Sequence, residues 1–206
     1  MFEREFECPS CGAPVKQTTP GARSLICSYC GQTSHVNADS IEAVGEKNLL
    51  IDYGSVLGIG KYGRFREREF IILGRIRIDY DDGFWDEWYV QFLDDGTEGW
   101  IQEDDGSFTM YHKRRSITTQ LSLAHAPVGQ YADLLQNGQE IFVTHKSKAR
   151  VNGGEGELPF PIIPGEVADF VDGIWDGNVV SIEYLPGENS IYLGEIVELD
   201  ELGLSS

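Results

Sequence analysis

All four cysteines of this 206-residue chain lie within its first thirty positions, as Cys8-x2-Cys11 and Cys27-x2-Cys30 with fifteen residues between the pairs. That spacing matches a four-cysteine zinc site. Each pair is followed by glycine, in "CPSCG" and "CSYCG". The glycine allows the backbone to turn so that two thiolates face one ion, and tetrahedral Zn–S bonds of ~2.3 Å then close the site. A segment this short buries too little surface to fold unaided, so the metal would supply its stability. A redox Cys-x-x-Cys needs a surrounding βαβ unit, which the flanking sequence lacks, and disulfides are disfavoured in a reducing compartment. Four thiolates leave no open coordination position, which argues for a structural ion. Iron in a rubredoxin-type site is the alternative to zinc.

The expected organisation follows. Residues 1–35 form a zinc ribbon and 36–48 a polar linker. Residues 49–118 form a first β-barrel-like half, 119–139 a connector with a short helix in "HAPVGQYADLLQNG", 140–200 a second β-barrel-like half, and 201–206 a tail. The fold class is mainly β with few short helices: an antiparallel meander or barrel, closed either as one barrel or as two small SH3-like barrels.

The β assignment rests on period-2 alternation. Ile76, Ile78 and Tyr80 share one strand face and Arg75, Arg77 and Asp79 the other. Trp88, Val90 and Phe92 alternate with Glu87, Tyr89, Gln91 and Leu93. Asp-Asp-Gly occurs at 81–83, 94–96 and 104–106, at each reversal. Aspartate tolerates turn conformations and glycine supplies positive φ without steric cost, so turn chemistry explains these triplets and predicts a four-stranded meander. "DYDDGFWDE" misses the calcium-loop spacing, since Gly83 comes one residue early. "NGGEGELPFPIIPGE" reads as a Gly/Pro-rich turn region, and "NVVSIEYLPGENSIYLGEIVEL" as a hairpin.

Charge narrows the partners. Sixteen Lys and Arg face 34 Asp and Glu, a formal net charge of −18. Nucleic acid and anionic membrane are therefore disfavoured, and a cationic ligand or a basic protein patch is electrostatically easier. The basic residues from Lys61 to Arg77 and at Lys113, Arg114 and Arg115 are expected to pair with nearby acids. No apolar run approaches ~18 residues, so no membrane span is predicted. The N-terminus lacks a basic n-region and an apolar h-region, so no signal peptide is expected, and the expected location is the cytoplasm.

No nucleophile elbow, phosphate loop or triad spacing appears, and His35, His112, His125 and His145 are scattered. The candidate binding residues are aromatic and acidic. Trp85, Glu87 and Tyr89 fall on one face of their strand and Trp88 on the other; Trp100 and Glu157 complete the set. Trp and Tyr beside carboxylates can cage an organic cation.

Several stretches together resemble the bacterial family called domain of unknown function 4178: "CPSCGAPV" and "CSYCG", "LGIGKYGRFREREFIILGRIRID", "WDEWYVQFLDDGTEGWIQEDDGSF", "GEGELPF" and "VSIEYLPGENSIYLGE". Glu87-Trp88-Tyr89, Gly99-Trp100-Ile101 and Gly156-Glu157-Leu158-Pro159 carry the match. The resemblance implies a ribbon ahead of the domain and no defined catalytic residues. It also implies operon neighbours such as spermidine-synthase-like enzymes, small membrane proteins and envelope-stress proteins. The expected function is a non-enzymatic binding or scaffold protein contacting a protein partner. The alternatives are recognition of a polyamine or other organic cation through the acidic aromatic face, and a hydrolase with carboxylates around Glu157 and Asp169.

Overall fold

In the computed structural model of the chain, residues 2–80, 83–113, 125–133, 138–185 and 188–205 are described. The alternating segment forms four strands: β7 (Arg68–Tyr80), β8 (Gly83–Phe92), β9 (Glu98–Asp104) and β10 (Ser107–Lys113). They follow one another as the antiparallel meander read from the sequence. The β9–β10 reversal places Asp105 and Gly106 at φ 45° and 78°, which the Asp-Gly pair accommodates.

The second half supplies β11 (Tyr131–Ala132), β12 (Ile141–Leu158), β13 (Val167–Trp175), β14 (Asn178–Leu185) and β15 (Glu188–Val197). The two halves do not close separately. β15 pairs with β10, and β12 pairs with β13 along its first part and with β7 along its second. The ring β7-β8-β9-β10-β15-β14-β13-β12 is one eight-stranded antiparallel barrel.

The glycine-rich stretch expected to be a turn is instead the second part of β12, as far as Leu158. Its glycines serve close approach rather than reversal. A Cβ on Gly74 would lie 2.1 Å from the Glu157 carbonyl oxygen, and one on Gly156, at φ +72°, would lie 2.3 Å from that of Leu73. Gly156 faces Gly74 of β7 on one edge and Ile26 on the other. The short helix expected within 119–139 falls partly on residues outside the described set; Tyr131–Ala132 form a strand on β12. Among the described residues no helix is long and apolar enough to cross a membrane.

The N-terminal module comprises the hairpin β1 (Arg4–Glu7) and β2 (Pro14–Gln17), followed by β3 (Ser24–Ile26), β4 (Thr33–Val36) and β5 (Ile41–Val44). β5 lies inside the expected linker and completes the module's sheet. β3 pairs with the end of β12, so the module extends the barrel wall.

Apolar residues on the outer wall are covered on two sides. Phe70, Ile72, Trp88, Val90, Phe92 and Ile101 are buried beneath Leu57, Phe65 of β6 (Tyr62–Phe65) and Leu202 of the 3-10 turn Leu199–Leu202. Val143, Val171, Val180 and Ile182 are buried with Ala126 on the opposite side. With the outer wall covered, β8 can carry large aromatics on both of its faces.

Candidate binding cavity and cysteine cluster

The four cysteine Sγ atoms lie within 4.8 Å of one another, with Cys8–Cys30 and Cys11–Cys27 each at 3.7 Å. A tetrahedron of ~2.3 Å metal–sulfur bonds has edges of ~3.8 Å, so the donor set fits a single thiophilic ion. The two pairs are built alike. Gly12 N donates to Cys8 O at 2.9 Å and Gly31 N to Cys27 O at 2.8 Å, with both glycines left-handed at φ 73° and 69°. Burial pushes the Cys8 thiol up, but the amides of Ser10 and Cys11 and the neighbouring thiols outweigh it and draw it down to about 7.

Glu157 fastens this module to the barrel. Its Oε1 accepts from Thr18 N at 2.5 Å and Thr18 Oγ1 at 2.6 Å; its Oε2 accepts from Thr19 N at 3.0 Å and Thr19 Oγ1 at 2.9 Å. With both oxygens engaged, its charge stabilises four donors that the junction would otherwise bury unpaired. Arg23 N donates to Leu158 O at 2.8 Å, and Ser24 Oγ to Phe160 O at 3.0 Å.

Alternation sorts the remaining candidates. Trp88 points outward into the covered core, 2 % exposed, with its Nε1 donating to Glu103 Oε2 at 2.9 Å and the Arg75 guanidinium 5.0 Å from its ring. Trp85, Glu87 and Tyr89 point inward. Glu87 lies on β8 between two apolar clusters that fill parts of the lumen. Trp85, Ala149 and Phe170 form one, and Tyr89, Trp100, Tyr111, Phe160 and Ile162 belong to the other. Eight strands enclose an interior just wide enough for side chains or for one small ligand.

Here the side chains leave a cavity of about 100 Å³. Its walls include Trp85, Trp100, Tyr111 and Phe170, and its polar groups include Glu87, Gln102, Asp172, Ser181 and Glu183. Tyr89 stands behind Trp100, with ring centroids 5.2 Å apart. Tyr111 reaches the lumen because Gly194 lies opposite it on β15; a Cβ there would sit 2.6 Å from the Tyr111 ring.

The electrostatics are one-sided. Among the described residues lining the cavity none is basic. Trp85 Nε1 donates to Glu87 Oε1 at 2.9 Å. Burial, with Asp172 nearby, holds the Glu87 carboxyl above the ordinary range. Burial pushes Asp172 up to about 6, against the Ser181 hydroxyl and the His145 ring, which favour its charge. Some surface of the Asp172 side chain, 27 %, counts as exposed. Asp172 lines the lumen and also reaches the half-exposed His145 ring, whose Nδ1 lies 3.9 Å from its carboxylate. Burial also raises the Tyr111 hydroxyl, and Asp172, Glu87 and Glu183 push it further in the same direction.

Asp172, Ser181 and Glu183 were absent from the sequence-predicted site. Asp172 shares a strand face with Ala168 and Phe170, so a carboxylate at an inward-parity position was the available signal.

Arg75 and Arg77 pair with acids outside the lumen. Arg77 bonds Asp86 through Nε at 2.9 Å and NH2 at 2.7 Å, and Arg75 NH2 lies 2.9 Å from the same carboxylate. Arg77 also donates to Ile51 O at 2.9 Å and lies against the rings of Tyr53 and Phe84.

A family model described as "Domain of unknown function (DUF4178)" matches residues 58–199, which covers the barrel and leaves the cysteine module outside it. No curated protein and no solved structure matches the chain.

Proposed function

We propose that this chain, which belongs to the DUF4178 family, is a non-enzymatic binding protein whose barrel holds a small ligand. The cavity inside the barrel carries this reading, since its polar side chains line a lumen walled by aromatic rings. The acidic aromatic face read from the sequence at Trp85 and Glu87 lines that lumen, with Trp100 beside it. The cysteine module is a platform held by one structural zinc on Cys8, Cys11, Cys27 and Cys30, and joined to the barrel through Glu157. Elemental analysis of protein purified without added metal tests the ion, with iron as the competing outcome. The protein is expected in the cytoplasm, where four thiolates persist.

The hydrolase alternative has the least support at the residues first assigned to it. Glu157 is engaged by Thr18 and Thr19, and Asp169 by Lys148 at 2.8 Å. A protein partner remains part of the proposal because Tyr29 (68 % exposed), Leu49 and Ile59 line a groove between module and barrel. Cross-linking from position 29 tests that contact.

The container role is tested by thermal shift against a panel of small cations, anions and neutral molecules, using the native chain and Ala168→Leu, which fills the lumen. A stabilising ligand whose effect disappears in Ala168→Leu supports the role. If every stabilising ligand acts equally on both proteins, the role is wrong.

A further inference from the structure

Tyr111 is 7 % exposed, yet its hydroxyl reaches the cavity and has no hydrogen-bond partner among the described residues. The half-buried Gln102 amide and the second oxygen of the half-buried Glu87 likewise have no hydrogen-bond partner among the described residues. Polar groups turned away from bulk water are seldom left without partners. These three groups come from β8, β9 and β10 and line the same cavity. This indicates a polar occupant rather than a lumen awaiting apolar packing.

The sign of that occupant follows from what surrounds it. Glu87, Asp172 and Glu183 enter the lumen from three strands, with no basic residue among the described lining residues. Burial makes both Glu87 and Asp172 resist ionisation, and the His145 ring, 3.9 Å from Asp172, opposes this in part. The remaining walls are rings, which attract organic cations through their faces. A hard metal cation would draw on the same carboxylates but would gain little from the ring faces that form the rest of the wall. Size bounds the rest: an apolar cavity of ~150 Å³ holds benzene, so about 100 Å³ suits a smaller group.

Resting on the container role proposed above, we infer that the lumen takes a compact organic cation. This is a primary alkylammonium, or one aminoalkyl arm of a longer amine, with its charge against Glu87 and Asp172 and its hydrocarbon against Trp85, Trp100 and Tyr111. Tyr111 and Gln102 supply the neutral hydrogen bonds. The occupant differs from an amine held on an outer acidic face because its charge lies within the barrel lumen.

The test compares n-butylammonium with 1-butanol, which has the same heavy-atom skeleton without charge, and with butyrate, spermidine and calcium chloride. Binding is read by calorimetry and by the indole resonances of the native chain and of Glu87→Gln/Asp172→Asn. Both substitutions remove charge at positions that already resist ionisation, so the variant is expected to fold. Butylammonium should bind at least roughly tenfold more tightly than 1-butanol, in line with a desolvated cation–π and ion-pair contribution. The variant should lose that preference while retaining 1-butanol. Spermidine binding that also shifts the lumen indoles identifies the arm of a longer amine as the source; spermidine heat without such a shift, beside butylammonium binding, assigns the site to a compact amine.

Equal binding of butylammonium and 1-butanol, with lumen indoles shifted, overturns the cation assignment and leaves the container role standing. Butylammonium binding that is the same in the variant, or calcium binding in its place, also overturns the assignment. If no probe shifts the lumen indoles, both the assignment and the container role fall.

Discussion

Asp172→Asn should make the protein more stable at neutral pH, and the gain should depend on pH in a defined way. The native carboxyl is raised from 3.8 to about 6, mainly by burial. A raised carboxyl contributes its stability below the unfolded value near 4 and loses it as pH climbs through about 6. The shift of about 2 units is worth about 3 kcal/mol at 1.36 kcal/mol per unit. Asparagine is neutral throughout and its side-chain oxygen keeps the bond from Ser181. The variant's advantage should therefore be about 0.5 kcal/mol at pH 4 and about 3 kcal/mol at pH 7. In a chain of this size the latter corresponds to a Tm increase of about 6–12 °C. Urea unfolding of both proteins from pH 4 to pH 8 measures the difference, and any acid effect on the cysteine site cancels in the comparison. A constant gap across that range, or a less stable variant at pH 7, would refute the enclosed-carboxyl assignment.

Other perturbations address other parts of the structure. Glu157→Gln removes the charge shared by four donors from Thr18 and Thr19 and should cost about 3 kcal/mol; limited proteolysis should then release the cysteine module before the barrel is cut. Cys27→Ser should abolish metal retention and expose residues 2–45 to rapid amide exchange while the barrel strands stay protected. Asp86→Ala leaves the buried Arg75 and Arg77 without their shared carboxylate and should destabilise the chain by about 3–5 kcal/mol in urea.

Strand period and turn chemistry made β7 to β10 legible. Alternation also placed Trp85, Glu87 and Tyr89 correctly on one face and Trp88 on the other. What alternation does not encode is which face looks into a lumen. Both faces of β8 are apolar because Leu57, β6 and the C-terminal 3-10 turn cover the outer one. Those covering residues are distant in sequence and short, so they leave no periodic trace. The single barrel was not legible for a related reason. Closure depends on β12 changing partners between β13 and β7, and the glycines that permit it resemble turn residues. The second acid of the cavity was accessible in principle, since Asp172 interrupts an inward-facing apolar row, yet its pairing across the lumen with Glu87 requires the closed ring. Glu157 reads from the sequence as a candidate binding residue; the side chains that engage it, Thr18 and Thr19, lie some 140 positions away.

The central claim is that the interior of the barrel, and not its outer surface, receives the ligand. The indole N–H resonances of the tryptophans test it directly. Trp85 and Trp100 line the lumen, whereas Trp88 lies outside it, bonded to Glu103. During titration with n-butylammonium the Trp85 and Trp100 signals should shift together and saturably while Trp88 stays still. Movement of Trp88 alone, or of none of the three at concentrations where heat is taken up, would contradict it.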